Sequence, residues 1–171
     1  MKTTSAGDDP VRLITLDWFE IRHDAGRVVG KDPRLNGPGL YMAYVEHYVH
    51  GKQCLAYIGL SAKLRQRLWA HQEWISRAQE PRLFAAVVQP PELLRDAESL
   101  LIYVHQPIYN GVKKAEPLSG HFLVHNIGDS GSLLPVVDSR YPWYGKGLSV
   151  AGRTGSTSFS APELQQKALT E

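Results

Sequence analysis

Tyr57-Ile58-Gly59-Leu60-Ser61-Ala62-Lys63-Leu64-Arg65-Gln66-Arg67-Leu68-Trp69-Ala70-His71 begins as an extended apolar run and ends as a basic amphipathic segment. Its first residues close the strand-like run 55–58. Ser61 is expected to cap a helix reaching about Arg77, with Leu64, Leu68, Trp69 and Ile75 as apolar contacts. Lys63, Arg67 and His71 recur every four residues and share one stripe of that helix, while Arg65 points elsewhere. Pro81 is expected to end the element.

Working outward, residues 40–49 and 53–60 read as an antiparallel hairpin joined across His50-Gly51-Lys52, with Tyr41 and Tyr57 brought near one end of the sheet. Residues 82–89 form a further strand, closed by Pro90-Pro91. Pro91 suits the first turn of a second helix whose apolar surface is Leu93, Leu94, Ala97, Leu100 and Leu101. Glu98 sits among those leucines, either at the rim of the core or held there for chemistry. Residues 1–10 read as a loose leader and 11–16 as a strand, continued by Trp18, Phe19 and Ile21 in a register left open. Residues 22–38 are dense in turn formers and predict loops around a short strand at 27–29. Residues 121–127 and 132–137 predict two strands around Gly128-Asp129-Ser130-Gly131. Tyr141-Pro142-Trp143-Tyr144-Gly145 is an aromatic turn that either covers the end of a core or stacks a base. Residues 152–160 read as mobile, and Ser160-Ala161-Pro162-Glu163 as the cap of a short terminal helix. The expectation is one α/β domain of the α+β type, a small mixed or mainly antiparallel sheet flanked by helices.

The chain has 171 residues, enough for one domain with a real core. A single cysteine, Cys54, excludes an internal disulfide or a thiolate cage for zinc, and reads as a buried small hydrophobe. No apolar run reaches membrane-span length and no signal-peptide core is visible, so the expected location is cytoplasmic with no membrane partner. The net charge is +2. Between Ser61 and Arg82, however, Lys63, Arg65, Arg67, Arg77 and Arg82 outnumber Glu73 and Glu80, which makes either a phosphate-holding patch or a solvated helix face. Glu46, His47, Tyr48 and His50 look like a ligand set, but alternation sends Glu46 and His47 to opposite faces. Phosphate loops, dinucleotide loops, zinc-ligand series and metalloprotease patterns are absent from the sequence, and Ser61 with His71 lacks an orienting acid.

Gly39-Leu40-Tyr41, Tyr57-Ile58-Gly59, Arg67, His71, Glu98 and Asn110 occur in the order that marks the GIY-YIG nucleases, and residues 37–112 resemble the core of that family. Glu98-Ser-Leu-Leu-Ile102 with Pro107-Ile-Tyr-Asn110 is similar to its metal-bearing helix and closing loop. Departures are Leu40 in place of isoleucine, Leu60 after Gly59, and a wide spacing between the two tyrosines. The resemblance implies a GIY-YIG-like core with extra strands from 1–36 and 113–171, and a DNA endonuclease using Mg²⁺ or Mn²⁺ held by Glu98. It further implies that Tyr41 activates water, Tyr57 positions phosphate or water, and Arg67 offsets transition-state charge. His71 would relay a proton or touch phosphate, and Asn110 would organise the loop near Glu98. Lys63, Arg65, Arg67, His71, Lys113 and Lys114 are the expected nucleic-acid contacts, with Arg140, Lys146 and Arg153 as a possible continuation. RNA as substrate, an inactive nucleic-acid-binding or assembly module, and a homodimer remain alternatives.

Overall fold

Seven consecutive buried residues, Gly39 to Val45, open strand β4 (Gly39–His47), because the sheet is covered on both faces where this strand runs. The computed structural model describes residues 10–24, 27–29, 31–114 and 118–140. Within them lie β1 (Arg12–Ile21), β2 (His23–Asp24), β3 (Arg27–Val28), β4, β5 (Gly51–Ser61), α1 (Leu64–Ala70), α2 (Gln72–Arg77), β6 (Gln79–Gln89), α3 (Leu94–His105), β7 (Phe122–Gly128) and β8 (Val136–Asp138). Short 3₁₀ turns occupy Pro33–Asn36 and Pro91–Leu93.

Six strands form one sheet in the order β5-β4-β6-β1-β7-β8, antiparallel throughout except for the parallel β1–β7 pair. The expected mixed, mainly antiparallel sheet with flanking helices is therefore present, and segments from both extensions lengthen it beyond β6. The open register of β1 is resolved by alternation. Ile14, Leu16 and Trp18 join Leu40, Met42, Ile58 and Phe84 under Leu100, Leu101 and Val104 of α3, while Phe19 and Ile21 join Tyr41, Leu83 and Ala85 under Leu64, Leu68 and Ile75 of α1 and α2. The C-terminal strands are tied to the core by polar clamps. Trp18 Nε1–H donates to Asn126 Oδ1 at 2.8 Å, and Tyr44 Oη–H donates to the Ser130 carbonyl while accepting from Ser132 N–H, both at 3.0 Å.

Several boundaries differ from expectation. The helix does not start on a Ser61 cap; Ser61 ends β5 and its Oγ accepts from Lys63 N–H at 3.0 Å, a local turn that delays the first helical residue to Leu64. Nor is it continuous, since it breaks at His71 into α1 and α2. Pro81 does not end it either. Ala78 already takes an extended conformation, and Pro81 lies inside β6 where Tyr44 pairs with Arg82 but Glu46 with Gln79, a bulge that spares the missing N–H. The hairpin turn spans residues 48–50, leaving Tyr48 and Val49 outside β4 and placing Gly51 and Lys52 inside β5. The final strand is shorter than expected, because the Tyr44 clamp and the Asn126 Nδ2–H bond to the Leu134 carbonyl (2.7 Å) hold the preceding loop off the ladder. The aromatic turn 141–145, the segment 152–160 and the terminal helix lie outside the described residues. Among the described residues no helix is long and apolar enough to cross a membrane. Cys54 is buried, and burial pushes its thiol upward.

His105 closes α3 inside the core, where burial pushes its imidazole down to about 4 from the ordinary 6.5. Between those values the unfolded chain binds a proton that the folded chain refuses, so stability falls as pH drops from about 6.5 toward 4. The loss is on the order of 3 kcal/mol. Urea unfolding across that range should show the decline, and His105→Leu should flatten it.

Candidate functional site

Glycine at 59 permits the site to exist. Tyr41 pairs with Gly59 across the β4–β5 ladder, and Ala43 with Tyr57, so both tyrosine rings stand on the α1–α2 face and close over the glycine. A Cβ at Gly59 would lie 2.7 Å from Cζ and Oη of Tyr41 and 2.7 Å from Cε1 of Tyr57, contacts no side chain can make. Gly39 has a similar role at the start of β4, where a Cβ would meet the Ala86 carbonyl oxygen at 2.4 Å.

Over these rings lies the end of α1. Arg67 Nε–H donates to Tyr41 Oη at 3.2 Å, and His71 Nε2 lies 2.9 Å from the same oxygen. The tautomer follows from Trp74, one turn further along, whose indole N–H donates to His71 Nδ1 at 2.8 Å. That bond requires an unprotonated Nδ1, so the neutral ring carries its hydrogen on Nε2 and donates it to Tyr41. Burial first, and then the Arg67 charge, hold His71 below the usual imidazole range, which favours this neutral form. Tyr41 Oη thus accepts two hydrogen bonds. Burial nevertheless pushes its phenol above the ordinary value, with the Arg67 bond opposing and the nearby Tyr57 reinforcing the rise. Arg67 is held more firmly protonated by Tyr41, and more weakly by Tyr57. In this geometry His71 donates to Tyr41 Oη and accepts from Trp74, so it engages the phenol oxygen as a donor.

Glu98 and Asn110 are placed differently, along the outer edge of β5. Asn110 Oδ1 accepts from Ile58 N–H at 3.0 Å and its Nδ2–H donates to the Ile58 carbonyl at 2.8 Å, replacing a ladder pair. Glu98, only 8% exposed, accepts Leu60 N–H on Oε1 at 3.0 Å, and its Oε2 pairs with the Lys113 ammonium. Chain geometry through Gly59 bounds the separation of Tyr41 Oη and Glu98 Oε1 at about 10 Å. Two groups of side chains therefore meet around Tyr57 to Leu60, one through the face of β5 and one through its edge.

The expected cation track is only partly open. Arg65 donates to the Asp32 carbonyl at 2.9 Å and to Asn36 Oδ1 at 3.2 Å, tethering the 3₁₀ turn. Lys113 is engaged with Glu98, and Lys114 reaches the Ile108 carbonyl at 3.5 Å. Lys63 is exposed beside α1, Arg140 is exposed with Nη2 3.5 Å from Asp138 Oδ2, and Lys146 and Arg153 lie outside the described residues. No group of three or more His, Cys, Asp or Glu side chains suited to a metal exists among the described residues, and Glu46, His47 and His50 form none. Glu98 fits Mg²⁺ or Mn²⁺ in another way. One carboxylate suffices when water and substrate oxygens complete the shell, and the Lys113 ammonium on Oε2 marks a position that already accepts a cation.

Two participants and one contact escaped the sequence reading. Trp74 was detectable as the helical neighbour three residues after His71, and Tyr109 as the aromatic before Asn110. The Lys113–Glu98 pair joins residues on separate elements, and no local pattern announces it. Comparison of the chain with protein-family models, curated proteins and solved structures returns no match.

Trp74→Phe removes the donor that stabilises neutral His71. Nitrogen-resolved NMR should show the native ring with its hydrogen on Nε2 and titrating below 6.5, and the variant titrating closer to that ordinary value.

Proposed function

We propose that this chain is a metal-dependent endonuclease of the GIY-YIG type that hydrolyses DNA phosphodiester bonds. The observation that carries the reading is the pairing, around Tyr57 to Leu60 of one strand, of a doubly donated Tyr41 oxygen on its face with a buried glutamate on its edge that already accepts a cation. The order of Gly39-Leu40-Tyr41, Tyr57-Ile58-Gly59, Arg67, His71, Glu98 and Asn110 supports it independently.

Tyr41 is the base for the attacking water. Its Oη receives His71 Nε2–H and Arg67 Nε–H, both of which favour the phenolate, while burial opposes it. The phenol proton must therefore depart to a phosphate oxygen or solvent before water is activated, and a rising pH promotes that step. Arg67, exposed at the end of α1, offsets negative charge building on the phosphate. Tyr57 orients phosphate or water through its hydroxyl. Glu98, steadied by Leu60 N–H, holds the ion, and Asn110 fixes the loop that faces it. A bound Mg²⁺ or Mn²⁺ supplies polarisation of the phosphate and stabilises the leaving 3′ oxygen. Glu98 would hold the ion through the oxygen that Lys113 now engages, and the long lysine stem would let the ammonium leave it.

The same ion pair favours a second reading, an inactive nucleic-acid-binding module in which Lys113 permanently replaces the metal. Mn²⁺ binding followed by electron paramagnetic resonance separates the two. Under the nuclease reading the native protein binds Mn²⁺, Lys113→Met binds it about tenfold tighter through loss of a competing cation, and Glu98→Ala does not bind. Absence of binding in the native protein together with its appearance in Lys113→Met favours the module.

Time-resolved cleavage of single-stranded, duplex, nicked and branched DNA and of duplex RNA, with Mg²⁺, Mn²⁺ or EDTA, tests turnover directly. Expected is metal-dependent cutting of DNA whose rate rises with pH. Glu98→Ala should abolish it, and Tyr41→Phe and Arg67→Ala should slow it by roughly 10²–10³. Cutting that persists in EDTA or in Glu98→Ala overturns the mechanism, and preference for RNA reassigns the substrate.

A further inference from the structure

An open cavity of about 460 Å³ adjoins the Tyr41 cluster, lined by Tyr57, His71, Trp74, Arg77, Ala78 and Tyr109. The mechanism uses Tyr57 and His71 through their polar atoms, and leaves the remaining lining without a task. We propose that this cup seats one unpaired nucleobase flanking the cleaved phosphate, so that the protein selects nucleic acid with a base outside the stack. The proposal rests on the nuclease reading for the position of the phosphate, and on the cup itself for the base.

Three features on the molecule point to a flat, uncharged ring. Trp74 meets Tyr57 with centroids 6.3 Å apart at 59°, and Tyr109 with centroids 6.3 Å apart at 81°, so the three rings stand as walls of a box rather than as a closed stack. Tyr109 is 54% exposed in a loop whose backbone is pinned, its N–H donating to the Ala56 carbonyl at 2.8 Å. A large aromatic held out on a fixed backbone is ready to stack without a large ordering cost. The wall carries little charge of its own, because burial and then the Arg67 charge hold His71 below the usual imidazole range and Arg77 is paired with Glu73 at 2.6 Å.

Position supplies the link to a nucleotide. The Tyr57 ring lies 5.7 Å from that of Tyr41 and 6.3 Å from that of Trp74, and His71, which also lines the cup, lies 2.9 Å from Tyr41 Oη, so the cup adjoins the Tyr41 hydroxyl. A phosphate at Arg67 and a base in the cup are thus neighbouring parts of one strand. A base paired within a duplex cannot enter, because its edge and both faces are engaged.

The test compares two duplexes that differ at one nucleotide, a single bulged adenosine and a bulged abasic residue at the same place. Binding to the full-length chain is read by fluorescence anisotropy in EDTA, so that nothing is cut. The bulged adenosine should bind about tenfold tighter than the abasic duplex. Tyr109→Ala should bring that ratio to about one, whereas Tyr109→Phe, which keeps the ring, should retain it. Equal binding of the two duplexes by the native protein, or a ratio unchanged in Tyr109→Ala, overturns the proposal. Glu98-dependent cleavage with a ratio of one removes the cup and leaves the nuclease standing. A tenfold ratio without metal-dependent cleavage of any substrate leaves the cup as a recognition site and removes the nuclease. Absence of binding to either duplex overturns the cup, and the cleavage assay alone decides the nuclease.

Discussion

Among the described residues the outer edge of β5 carries backbone donors and acceptors with no neighbouring strand, and the way they are satisfied assembles the candidate site. Ile108 N–H reaches the Leu55 carbonyl, Tyr109 N–H the Ala56 carbonyl, Asn110 both polar groups of Ile58, and Glu98 the N–H of Leu60. Four successive steps along one edge therefore fix the loop after α3 and one buried carboxylate of α3 itself. Glu98 is tolerated at 8% exposure because this edge supplies one partner and Lys113 the other. Without the edge there would be neither a reason to bury Glu98 nor a support for Tyr109.

On the face of the same strand, a different balance is struck around one oxygen. Tyr41 Oη is held by two donors yet remains protonated at neutrality, because burial outweighs what Arg67 contributes. The polarity of the arrangement depends on Trp74. By donating to His71 Nδ1 it obliges the other ring nitrogen to carry the hydrogen, so an imidazole that is chemically able to accept is committed to giving. The indole thus links the cup and the Tyr41 hydroxyl physically, since the ring that walls one sets the tautomer acting on the other.

Parts of this could be read along the chain. Alternation in residues 40–60 and the charged stripe after Tyr57 identify the hairpin and the following helix, because pleat and helical repeat are local properties. Element limits were less visible. Ser61 has the right chemistry for a cap but spends it on Lys63, and Pro81 has the right chemistry for a stop but occupies a bulge created by pairing with β4. Either outcome is decided by a neighbouring strand that the local sequence does not contain.

The sequence by itself determined the mainly antiparallel sheet with flanking helices, the burial of Cys54, and the membership of Tyr41, Tyr57, Arg67 and His71 in one ordered series. Only the tertiary structure decided that the N- and C-terminal extensions share the sheet, that Lys113 rests on Glu98, and that Trp74 and Tyr109 wall a cup. The division has a physical cause. Periodicity and spacing report forces acting within a few residues, whereas sheet order, ion pairs across loops and ring packing arise when segments distant in the chain compete for the same face or edge. At Gly59 the two kinds of information meet: its place after Tyr57-Ile58 is read directly, but its necessity appears only once Tyr41 folds across it from the adjoining strand.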